Sequence, residues 1–153
     1  MSRRYNVLLV SSSGGVLLDL LALEPWWNRH RTTWAAVSAE DTRTALPGDR
    51  VYWVKEQTLQ RPFAAIAGLL EASRVLRTVR PNVIVSAGSG VAIGFFVAAK
   101  LLRIPTFWIE TFNFIETPSI TGRICSRLAS EILVQRPSML EAHPGAVLLG
   151  ELY

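Results

Sequence analysis

Between Pro81 and Glu110 the chain reads as one continuous unit. A short apolar strand pattern, Val83-Ile84-Val85, leads into the loop Ser86-Ala87-Gly88-Ser89-Gly90, then an apolar helical run from Val91 to Leu102, then a second strand, Thr106 to Ile109, with Glu110 at its tip. Strand, glycine loop, helix and strand make a βαβ unit, which requires a parallel pair of strands and sets the loop at a helix N-terminus. Unpaired amides and the positive end of the helix dipole meet there, so the unit points to a phosphorylated ligand.

The same alternation extends in both directions. Asn6 to Ser11 reads as an apolar strand, Gly14 to Leu23 as a leucine-rich helix stopped near Pro25, and Thr32 to Ser38 as a second strand. Glu40 to Leu46 is a short helix, and Arg50 to Val54 a strand after the turn Pro47-Gly48-Asp49. Phe63 to Val79 forms the longest helix, with Ile66, Leu69, Leu70, Val75, Leu76 and Val79 as its inner face and Arg74, Arg77 and Arg80 as a basic outer one. Beyond the central unit come a helix from Ser119 to about Leu128, a buried strand Ile132 to Val134, a short helix Pro137 to Ala142 and a last strand Ala146 to Leu149. The expected architecture is one α/β domain over residues 1–153, a mainly parallel sheet with helices on both faces. The chain stops at Gly150-Glu151-Leu152-Tyr153, directly after a strand, which reads as an unfinished edge.

Composition narrows the classes. A chain of 153 residues buries roughly two-thirds of its unfolded surface as one domain. Half the residues are apolar and the mean hydropathy is +0.27, so some surface is expected to lie against a partner or a membrane. The longest apolar run, Val91 to Leu102, contains Lys100 and is well short of the ~20 residues that span a bilayer. The four apolar residues Val7 to Val10 after a basic start are too few for a signal sequence, and a cytoplasmic setting is expected. A lone cysteine, Cys125, cannot form an internal disulfide and reads as a small buried residue. The net charge of +4 suits anionic partners: phosphates, lipid headgroups or nucleic acid. Nucleic acid ranks last among them, since no aromatic platforms interleave with base-reaching polar groups. His30 and His143 each lack a second ligand nearby, so no metal site is expected.

Two glycine loops carry the chemistry. Ser11-Ser12-Ser13-Gly14-Gly15 joins the first strand to the first helix, and Ser86 to Gly90 repeats the arrangement. Each loop alone reads equally as a tight turn that binds nothing; two in one sheet favour a ligand. Neither ends in Gly-Lys-Ser/Thr, which argues against ATPase chemistry. Glu110 lies 20 residues beyond Gly90, where a dinucleotide site keeps its ribose acid, so a stand-alone nucleotide- or NAD(P)-binding enzyme remains an alternative. Trp26-Trp27 with Arg29, His30 and Arg31 reads as an interfacial anchor or, with slight preference, as a helix end packed by one inward and one outward indole. Asp19 reads as a surface charge.

Several blocks then resemble one family. They are Ser12-Ser13-Gly14-Gly15, the run Arg80 to Val91, Lys100-Leu101-Leu102 with Ile104-Pro105, Ile109-Glu110-Thr111-Phe112, Pro118-Ser119 with Thr121-Gly122-Arg123, Leu133-Val134-Gln135, and Gly150 with Leu152-Tyr153. Together they resemble the accessory subunit of split GT-B glycosyltransferases. That family includes bacterial capsule and exopolysaccharide enhancer proteins and the membrane-recruiting subunit of the eukaryotic transferase that adds the second N-acetylglucosamine to dolichol diphosphate.

The resemblance implies that this chain is the N-terminal Rossmann-like half of a GT-B enzyme, acting on the inner face of the cell membrane without a cofactor of its own. A separate subunit would bind the UDP-sugar donor and meet the edge at Gly150, Leu152 and Tyr153. Ser12, Ser13, Gly14, Gly15, Gly88, Ser89 and Gly90 would hold the diphosphate of a lipid-linked saccharide acceptor. Glu110 would serve as base or orient the sugar, a reading that stands level with a structural carboxylate. One departure weakens catalysis by the first loop: family members commonly carry histidine after the two glycines, and this chain has Val16, which can neither transfer a proton nor hydrogen-bond.

Overall fold

A computed structural model describes residues 3–46, 48–56, 61–110, 120–141 and 143–148. Seven strands form one sheet: β1 Asn6–Ser11, β2 Arg31–Val37, β3 Val51–Val54, β4 Val83–Ser86, β5 Thr106–Ile109, β6 Glu131–Val134 and β7 Val147–Leu148. Their order is β3-β2-β1-β4-β5-β6-β7, and every pair is parallel. Among the described residues six α-helices accompany them: α1 Gly15–Leu21, α2 Glu24–Trp27, α3 Glu40–Ala45, α4 Pro62–Val79, α5 Val91–Leu101 and α6 Ile120–Leu128, and the short helix expected from Pro137 is a 3₁₀ turn, Pro137–Leu140. The expected fold class is therefore the observed one.

Burial on both faces explains why β1 and β4 read as unbroken apolar runs rather than alternating ones. Leu8, Val10 and Ile84 face a core built with α4, α5 and α6, including Val75, Leu76, Phe95, Phe96, Trp108 and Cys125. Val7, Leu9, Val83 and Val85 face the opposite core, with Leu17 and Leu20 of α1 and Trp34. α4 and α5 approach closely at two glycines: a Cβ on Gly94 would lie 3.2 Å from the carbonyl carbon and oxygen of Gly68.

Several expectations change. Pro25 does not stop the first helix; α1 ends at Leu21, and Pro25 sits in the first turn of α2, where its missing amide costs nothing. Ile66 and Leu70 are not on the inner face of α4, being 57% and 56% exposed; the buried residues there are Gly68, Ala72, Val75 and Leu76, because the close approach to α5 admits small side chains. Asp19 is not a surface charge but is only 2% exposed. Ile132 and Leu133 are half-buried, since β6 lies near the sheet edge. The tryptophan pair divides as one in and one out. Trp27 donates its indole N–H to the Leu20 carbonyl at 2.9 Å and meets Trp34 edge-on, while Trp26 is exposed.

Candidate functional site

The strand order reverses between β1 and β4, and a parallel sheet opens a crevice at the carboxyl ends of strands where this happens. Both glycine loops leave those two strands, so residues far apart in the chain share one rim. The Ser86 hydroxyl ties them together. It lies 2.9 Å from the Val10 carbonyl, at the tip of β1, and 2.9 Å from the Gly88 carbonyl within its own loop. With one proton it donates to one of these at a time.

The second loop is shaped for close approach. Gly88 has φ 150° and Ser89 φ 88°, a left-handed conformation that L side chains rarely adopt and that concentrates at functional sites. The Ser89 hydroxyl accepts from the Val91 amide at 3.3 Å, capping the start of α5. The amides of Ser89 and Gly90 have no acceptor among the described residues. They remain available to an anion above the N-terminus of α5.

The first loop is already occupied by a carboxylate. The Gly14 amide donates to Asp41 Oδ2 at 2.8 Å, and Gly14 takes the glycine-favouring φ of 80°. The serine hydroxyls turn to their own backbone, Ser11 to the Ser12 carbonyl at 2.8 Å and Ser12 to that of Ser13 at 3.4 Å. Ser13 and Gly14 open on a cavity of about 650 Å³ that Glu40 and Asp41 also line. The two loops therefore differ in charge rather than in free donors: the Gly15 and Val16 amides also have no acceptor among the described residues, but a carboxylate holds the Gly14 amide beside them.

Glu110 follows β5, the strand beside β4, but its side chain turns inward. It is 1% exposed. The Trp108 indole donates to its Oε2 at 3.1 Å, and His143 Nε2, itself 5% exposed, lies 3.1 Å from the same oxygen. Glu110 Oε1 is buried with no hydrogen-bond partner among the described residues. The Glu110 carbonyl accepts from the Gln135 side chain at 3.2 Å, which joins the tips of β5 and β6. Nearby, burial pushes the Cys125 thiol from its ordinary 9.0 up to about 12, and the Glu110 carboxylate adds to the rise.

The structure thus joins Ser12 to Gly15 and Gly88 to Gly90 at one rim, and sets Glu110 beneath the neighbouring strand end. A ribose acid, which the NAD(P) alternative requires, would have to face the ligand; this carboxylate does not. Gly150, Leu152 and Tyr153, and Thr111 to Ser119 with them, lie outside the described residues. Sequence reasoning missed His143 as the partner of Glu110, and Asp41 as the group on the first loop. An acidic residue opening a short helix after β2 was the one available signal for the latter.

Comparison with known proteins shows the family and the fold. A family model described as "Oligosaccharide biosynthesis protein Alg14 like" matches residues 30–152. The chain is 34% identical over 91 residues, 58% of its length, to the UDP-N-acetylglucosamine–N-acetylmuramyl-(pentapeptide) pyrophosphoryl-undecaprenol N-acetylglucosamine transferase of Lachnoclostridium phytofermentans, and covers 25% of that protein. It is 24% identical over 105 residues, 65% of its length, to the UDP-N-acetylglucosamine transferase subunit ALG14 of Rattus norvegicus, and covers 49% of it. The chain thus spans half or less of these relatives. Among solved structures, MurG of Acinetobacter baumannii superposes with a TM-score of 0.76 at 20% identity, over 95% of this chain and 45% of that one. The fold is that of the N-terminal Rossmann-like half of GT-B enzymes.

Proposed function

The chain belongs to the Alg14-like oligosaccharide biosynthesis family, and from that premise we propose that it is the acceptor-side subunit of a two-component glycosyltransferase. A separate chain binds the UDP-sugar, and the sugar passes to a lipid diphosphate-linked acceptor at the inner face of the cell membrane, in capsule or exopolysaccharide assembly. The rat relative is named as a subunit of a UDP-N-acetylglucosamine transferase, and the bacterial relative is named for a pyrophosphoryl-undecaprenol acceptor. The observation that carries the reading is the rim at the β1/β4 switch point, where the Ser89 and Gly90 amides have no acceptor among the described residues.

In this mechanism Gly88, Ser89 and Gly90 hold the acceptor diphosphate, with the dipole of α5 behind them. Ser12, Ser13, Gly14 and Gly15 contribute once Asp41 yields the Gly14 amide. Glu110 acts as a positioning residue: its carboxylate, held by the Trp108 indole, is set against His143 of the β6–β7 connection, and its backbone carbonyl takes the Gln135 side-chain amide that ties β5 to β6 beside the rim. Gly150, Leu152 and Tyr153 meet the donor-binding subunit.

The membrane reading is supported by α4. Phe63, Ile66 and Leu70 fall on one stripe of the helix and are 83%, 57% and 56% exposed, and Arg74 and Arg77 continue it. Apolar side chains followed by cations suit the acyl-to-headgroup boundary. No described helix is long and apolar enough to cross a membrane.

The test compares Gly88→Asp with Gly88→Ala in the assembled transferase. Both add a Cβ at the same backbone position, so backbone strain is shared; the Asp variant differs by its carboxylate, and Gly88→Asn, of the same size without the charge, separates the charge from the bulk. The Asp variant is expected to lose at least tenfold more activity than the Ala variant, by raising KM for the acceptor. Equal activity would remove the diphosphate from this loop.

A further inference from the structure

We infer that a second anion site, for a phosphorylated ligand, lies at the opposite end of the sheet from the glycine loops. A cavity of about 860 Å³ opens at the amino ends of β1 and β2, and Arg4, Arg31 and Arg50 line it with Tyr5, Trp27 and His30. That volume is within the ~300–1,000 Å³ range of small-molecule sites.

None of the three guanidiniums has an ion pair or side-chain hydrogen bond among the described residues. Cations at this end of an α/β sheet are ordinarily explained by helix C-termini, and Arg77, Lys100 and Arg127 fit that explanation in the last turns of α4, α5 and α6. Arg4 precedes β1, Arg31 begins β2 and Arg50 closes a single 3₁₀ turn before β3, so no long helix dipole accounts for them. Asp49 also lines the cavity, which leaves a net charge of two among these four groups. A phosphate monoester or diphosphate carries about that charge near neutral pH, and the planar guanidinium fork matches its oxygens.

The wall is already in place. The Tyr5 amide donates to His30 Nδ1 at 3.3 Å, and the imidazole is held between Tyr5 and Trp26, with ring centroids 5.4 and 5.3 Å away. Because Nδ1 accepts, Nε2 of the neutral ring is left as a donor. A ligand bound here does not compete with one at the loops, since the strands separate the two ends.

Two sources share this chemistry, a soluble phosphate compound and a phospholipid headgroup, and two arms separate them. In a Gly88→Asp background, which closes the glycine loops to diphosphate, the full chain is titrated with inorganic pyrophosphate, and sedimented with phosphatidylcholine vesicles with or without phosphatidic acid. Each measurement is repeated on R31Q/R50Q and on R123Q/R127Q, which removes the same charge from exposed positions on α6. R31Q/R50Q is expected to weaken binding at least tenfold in one arm, naming the source, while R123Q/R127Q changes it less than threefold. Equal weakening by the two variants, no change in either arm, or no saturable binding by the Gly88→Asp parent would overturn the site. Melting temperatures within a degree or two confirm that all three chains are folded.

Discussion

At the scale of single residues, Asp41 decides how the first loop behaves. Its carboxylate sits 2.8 Å from the Gly14 amide, the place we propose for an acceptor phosphate, while its other oxygen accepts the Thr42 amide. Like charges ~5 Å apart in water repel by about 0.8 kcal/mol per pair. Asp41→Asn keeps an acceptor oxygen for Thr42, removes the charge and turns a donor toward the Gly14 amide, so acceptor KM should fall roughly threefold to tenfold at a cost of about 1 kcal/mol in stability. An unchanged or raised KM would detach the first loop from the diphosphate. Cys125 gives a second prediction with a definite sign. The folded chain holds the thiol proton up to about pH 12, the unfolded chain only to about 9, so this contribution is whole below pH 9 and fades as pH climbs toward 12. Urea midpoints measured across that window should fall more steeply for the wild type than for Cys125→Ala. Parallel curves would mean the thiol is not shielded. Glu110 shows what spacing reveals and what it hides. Its place at a strand tip was legible, because Thr106 to Ile109 ends there, but the inward turn was not, because His143 reaches it only through the β6–β7 crossover.

At the scale of elements, α4 is where periodicity misled and where the reason is clearest. Its apolar residues are numerous enough to draw two faces, and the pattern alone favours the bulkier one as inner. Gly68 and Ala72 win because the helix lies against α5, where the Gly68 and Gly94 backbones come together. Phe63, Ile66 and Leu70 are thereby left outside. The triple change Phe63→Ser, Ile66→Ser, Leu70→Ser removes no core packing, so stability should shift by less than about 1 kcal/mol. Sedimentation with anionic vesicles should drop at least tenfold. Vesicle binding that survives the change would move the membrane face elsewhere on the molecule. The strands, by contrast, were read almost to the residue: β1 and β4 because burial on two faces writes a continuous apolar run, and the less buried β3, β6 and β7 because turn residues bound their short apolar stretches.

At the scale of the whole molecule, the sheet order gathers the chemistry. Alternating strands and helices predict a parallel sheet, but not that β1 and β4 are neighbours; that adjacency puts the two glycine loops on one rim. The rim offers donors to an anion, and Glu110 beside it is turned inward, which is why we propose acceptor binding for this chain and donor binding for a second one. Transfer of radiolabel from UDP-N-acetylglucosamine to membrane lipid extract tests that division directly, with this chain, the candidate donor-binding chain, or both. Labelled lipid only when both are present is the predicted result. Full transfer by either chain alone would contradict the account.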